Sequence, residues 1–98
     1  MKIIPSKAKN KKWTAVFSKD IDGKRKVIKT TSFGQKGADD YTITGDKAQR
    51  NRYTNRHRKN ENWKDYMSAG SLSRYLLWGA YTDLDKNISA FKRRFNLK

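Results

Sequence analysis

The sequence contains no cysteine. Disulfide staples and thiolate metal sites are thereby excluded, and the chain suits a reducing compartment. Histidine occurs once, at His57, so no zinc spacing exists and general-base chemistry has little to draw on. Acidic residues are scarce, nine against 24 Lys and Arg, and Asp39–Asp40 is the only adjacent acidic pair. Long apolar runs are missing as well. Tyr75 to Tyr81, the longest, is about a third of what a membrane-spanning helix needs, and no membrane partner is expected. The N-terminal MKIIPSKAKNKKW has charge without an apolar core, which argues against a secretory signal.

What is present is positive charge. The formal net charge is +15, and the pI near 10.3 exceeds the value of about 9 that flags nucleic-acid binders. Such charge costs self-repulsion in a compact state, which a polyanion relieves. With 35% hydrophobic residues but three Trp, four Phe and five Tyr, the chain is expected to fold as one domain with few, large core residues.

The 98 residues divide by pattern. Residues 1–12 read as a basic arm, with Ile3 and Ile4 able to pin its start. Trp13 to Phe17 alternates with period two, Asp22-Gly23 signals a hairpin turn, and Arg25 to Phe33 supplies the second strand. Gly34 to Asp40 reads as a loop, and Tyr41 to Thr44 as a short third strand. Asp46 to Asn60 is a helix capped by Thr44 or Asp46, thinly apolar at Tyr53 and His57. Leu72, Tyr75 and Leu76 place a central apolar helix over about Ser71 to Gly79. Thr82-x-x-Asp85 reads as a capping box, followed by an amphipathic helix to about Asn96 on Leu84, Ile88, Phe91 and Phe95. The expected fold is α+β: an N-terminal antiparallel β-hairpin or three-stranded sheet with three short helices packed on it, residues 13–98 forming a single domain.

Catalytic material is poor. His57 sits between Arg56 and Arg58, on the packing face of its helix. Asp39 and Asp40 have the chemistry to hold Mg²⁺, but pairing with arginines of the basic helix, or capping a turn, accounts for them better. No Walker loop or nucleophile elbow is present, and Glu61-Asn-Trp-Lys64 lacks the one-residue gap of the acid-x-Lys nuclease signature. We expect no enzyme activity, no catalytic or metal site and no cofactor; a small metal-dependent nuclease is the weaker alternative.

The phosphate-binding surface is expected at Lys47, Arg50, Arg52, Arg56, Arg58 and Lys59 on the basic helix, Lys11 and Lys12 on the arm, and Arg93 and Arg94 near the C-terminus. Binding of this kind is salt-dependent and mostly blind to sequence.

Three runs carry a resemblance. They hold Phe33, Gly34, Asp40, Tyr41 and Thr42; then Arg56, His57, Arg58, Glu61, Asn62 and Trp63; then Ala69, Gly70, Ser73, Arg74, Leu76, Leu77 and Trp78. From about Trp13 onward the chain resembles a family of small basic proteins of unknown function from large double-stranded DNA viruses of algae and amoebae. The resemblance implies a viral product made in the cytoplasm or nucleus of the infected cell, with packaging in the virion a further expectation. No activity travels with it. A buried contact of Asp40 with Arg56 or His57 would explain these runs as a signature of fold. Together the readings give a non-enzymatic DNA- or nucleic-acid-binding protein that neutralises or organises a packaged genome. The alternative is a structural virion component docked on acidic capsid proteins.

Overall fold

A computed structural model describes residues 1–97 and shows the α+β arrangement. Three antiparallel strands, β1 (Lys2–Pro5), β2 (Lys11–Ile21) and β3 (Lys24–Gln35), lie in the order β1-β2-β3. The β2–β3 turn is the expected Asp22-Gly23, both residues in the left-handed region at φ 52° and 76°, as a two-residue turn matched to strand twist requires.

Two expectations are corrected at the sheet. Residues 2–5, read as part of a basic arm, form the edge strand, with Ile3 opposite Ala15 and packed on the core. Ile3 supplies the apolar contact, and the open edge of β2 supplies hydrogen bonds. Tyr41–Thr44, read as a strand, is a single helical turn, α1. Tyr, Thr and Ile favour strands, but both ends of this segment are decided locally. Asp40 caps it by accepting the Thr42 N–H at 2.9 Å, and Gly45 closes it at φ 64°.

α2 spans Lys47–His57 and is capped by Asp46, which accepts from the Gln49 N–H at 3.1 Å. The central apolar segment begins as α3 (Ala69–Leu72) and widens into a π-helical turn over Ser73–Leu77, closed by Trp78 N–H donating to Ser73 O at 3.0 Å. Consecutive residues of a regular α-helix lie about 100° apart, so one narrow stripe cannot bury three in a row. Leu76, Leu77 and Trp78 are nonetheless all buried, with Leu72 beneath them.

α4 spans Leu84–Arg94. Its cap is Asp83 rather than Thr82: one carboxylate oxygen accepts the N–H of Asp85 and Lys86 at 2.9 and 3.4 Å. Phe91 is buried from this helix, with Leu84, Ile88 and Phe95 packed around the core that Ala15, Phe17 and Phe33 supply from the sheet. Tyr66 bridges the two layers, its ring centroid 5.8 Å from Phe17 and 5.5 Å from Phe95.

Candidate nucleic-acid interface

α2 cannot be held by an apolar stripe, because Thr54 is its only buried residue. Rings and cations hold it instead. Tyr53 lies between His57 (centroids 4.0 Å apart) and Trp78 (4.4 Å, planes within 7°). His57 Nδ1 is 2.9 Å from Tyr53 O; a carbonyl only accepts, so this bond puts the proton on Nδ1. The lone histidine is a member of a three-ring stack. On the neighbouring face Arg50 lies over the Tyr41 ring at 4.7 Å and donates to Gly79 O at 3.4 Å.

This mounting leaves a cleft on each flank of α2. The first, about 890 Å³, opens between α2 and α4 and is lined by Arg50, Arg58, Arg74, Arg93 and Arg94 with Asn51, Asn55 and Tyr75; among the described residues no carboxylate lines it. Arg74 is its half-buried floor. It donates to Trp78 O at 3.1 Å, while its Nε is buried without a partner. The guanidinium lies 5.2 Å from both the Trp63 and Tyr75 rings, and Arg94 lies 4.7 Å from Tyr75. Burial pushes the Arg74 pKa below its usual value; the positive charge of Arg94, Arg50 and Arg58 lowers it further, opposed only by Tyr75. Positive potential therefore accumulates at one concave place, the arrangement that draws an anion.

The second cleft, about 700 Å³, is mixed. Lys11, Lys12, Arg52, Arg56 and His57 share it with Asp39, Asp40 and Glu61. Here Lys12 is withdrawn from the expected phosphate contacts. Its ammonium is 2.7 Å from Asp40 Oδ2 and also donates to Ala38 O. Asp40 is 2% exposed, and a buried carboxylate requires a paired cation. The partner of Asp40 is thus Lys12, not Arg56 or His57.

Of the ten residues expected to bind phosphate, Arg50, Arg58, Arg93 and Arg94 meet in the first cleft; Lys11, Lys12, Arg52 and Arg56 line the second. Lys47 and Lys59 are exposed and line neither. Arg74 was missed. Its signal was present as the one charge inside the apolar segment Gly70 to Tyr81.

The model of a family of unknown function (DUF5754) matches residues 1–57. The chain belongs to this family. The matched segment holds the sheet, α1 and all of α2, while the arginines of α4 lie beyond it. No curated protein and no solved structure matches the chain.

Proposed function

We propose that this protein binds nucleic acid, DNA in the first place, through phosphate contacts seated in the arginine cleft between α2 and α4, without catalysing a reaction. The observation that carries the reading is five arginines around one concavity with no carboxylate among them. Arginine forks match phosphate oxygens bidentately, and Asn51 and Asn55, one turn apart on α2, add amide donors and acceptors at the rim. In the viral setting that the sequence resemblance implies, the role is neutralising or organising a packaged genome.

The test is binding of a labelled duplex and a labelled single strand between about 50 and 200 mM salt. Log affinity should fall linearly with log salt, with little preference among sequences. Replacing Arg50, Arg58 and Arg93 together by Gln should reduce that slope by about 2 to 3, since each lost phosphate contact removes roughly 0.9. A protein that binds neither strand at physiological salt, or a variant with an unchanged slope, would sink the reading.

A further inference from the structure

Beyond Phe17 the β2–β3 hairpin leaves the body. β1 flanks β2 only as far as Val16, and Phe17 is the last β2 residue in the core. Every residue from Lys19 to Thr30 is exposed. Ser18–Ile21 paired with Lys24–Val27 forms a two-stranded ribbon, roughly 13 Å long at about 3.3 Å per residue.

Its side chains do little for the folded chain. An irregularity between Phe17 and Ser18 resets the register, so that Lys19 faces Lys26 and Ile21 faces Lys24. Directly opposed residues share a face, which places three lysines and Ile21 together, while Asp20 and Arg25 pair at 3.5 Å on the other side. Like charges directly opposed across strands are destabilising. Ile21 is 38% exposed among the lysines, Val27 is 60% exposed on the Asp20–Arg25 face, and Ile28, at the irregularity, is 49% exposed. Lysines on an edge strand do discourage edge-to-edge pairing, but that role requires neither an opposed lysine pair nor bare apolar side chains.

The root of the ribbon lies near the basic end of α4. Phe17, at the root of the ribbon, reaches Phe95 through Tyr66, and the last turn of α4 before Phe95 carries Lys92, Arg93 and Arg94. The Met1 amino group feels both: burial lowers its pKa most, then Lys92 and Arg25.

We infer that the ribbon Ser18–Val27 enters the major groove of B-form duplex DNA with its Lys19–Lys26 face inward, the lysines at the phosphates and the exposed Ile21 against base edges. A major groove about 12 Å wide admits a two-stranded β-ribbon and offers thymine methyls to apolar contacts. The deep, narrow groove of A-form RNA does not, and a single strand has no groove. The inference rests on the nucleic-acid reading above and commits it to duplex DNA.

The experiment measures the full chain against labelled duplex DNA, duplex RNA of the same sequence and single-stranded DNA. It compares the triple variant Lys19→Gln, Lys24→Gln, Lys26→Gln with a control of equal charge change, Lys7→Gln, Lys9→Gln, Lys36→Gln, at residues that are also exposed. Unaltered far-ultraviolet circular dichroism establishes that both variants fold. The ribbon triple should bind duplex DNA at least tenfold more weakly at physiological salt, with a slope smaller by about 2 to 3; single-strand binding should hold, and the control should lose far less. Duplex RNA bound as tightly as duplex DNA overturns the inference. So do equal losses in both triples, and so does a ribbon triple that keeps its affinity but self-associates in sedimentation, which would make the lysines edge guards. If the unmodified protein binds no nucleic acid, the reading beneath falls and takes the inference with it.

Discussion

Asn87 is the residue on which the arginine cleft depends, although it carries no charge. It is 1% exposed on α4. Its Nδ2 donates to Leu76 O at 2.9 Å and Tyr81 O at 2.8 Å, and its Oδ1 accepts the Tyr81 N–H at 3.0 Å. One amide thus ties the π-helical turn and the loop after it to α4. Gly79 lies inside this knot, where a Cβ would come within 2.2 Å of Tyr75 O and 2.9 Å of Asn87 Oδ1. Leaving buried backbone groups without partners costs about 1–3 kcal/mol each. Only the Leu76 bond is fully buried, since Tyr81 is 43% exposed. Asn87→Ala should therefore destabilise the protein by about 1–3 kcal/mol in urea unfolding, with the salt slope of DNA binding also reduced because Arg93 and Arg94 lose their placement. A loss under about 1 kcal/mol would show that water replaces the amide at little cost.

At the scale of elements, the difference between what could be read in advance and what could not follows how local the cause is. The β2–β3 hairpin was legible because period-two alternation and Asp22-Gly23 act within a few residues. α4 was legible from Leu84, Ile88, Phe91 and Phe95. The cleft was not, since the closeness of Arg50 and Arg58 to Arg93 and Arg94 is set by how α2 and α4 dock, and no spacing in the chain encodes that. Nor was the bare ribbon: Val27 and Ile28 have the residue types of a half-buried strand, and only the end of β1 pairing at Val16 shows that nothing covers them. α2 itself, poor in apolar residues, hangs on the stack of His57, Tyr53 and Trp78. That dependence has a pH signature. Burial raises the Tyr53 pKa above its usual 10, and Glu61 raises it further, with Ser73, Arg56 and Arg74 opposing. A group whose pKa is raised on folding contributes stability that is complete below its unfolded value and is lost as pH climbs through the folded one. Unfolding free energy should hence decline above about pH 10, and Tyr53→Phe should flatten the decline. An alkaline profile unchanged by that substitution would place the loss in other tyrosines.

Over the whole molecule the dominant quantity is the net charge of +15, which the fold compensates only sparingly: among the described residues the side-chain ion pairs are Lys12–Asp40 and the exposed Asp20–Arg25. Repulsion among exposed charges is screened by salt, with a Debye length of about 30 Å at 0.01 M and 10 Å at 0.1 M. The body measures 46 × 28 × 25 Å, so at low salt its cations act on one another across most of the molecule, and at the higher salt only on neighbours. The free protein should accordingly melt at a higher temperature as salt rises over that range. Bound DNA should reverse the sign. A ligand at about a hundredfold its dissociation constant adds roughly 2.7 kcal/mol, and for a domain of this size each kcal/mol moves the midpoint by about 4–8 °C. Because salt dissociates a phosphate-bound complex, that increment should shrink as salt rises, and the melting curves with and without DNA should converge. Differential scanning calorimetry across the series decides the matter. A free protein indifferent to salt would mean that its charges are far enough apart to cost little, and the argument from self-repulsion to a polyanion partner would then have no force.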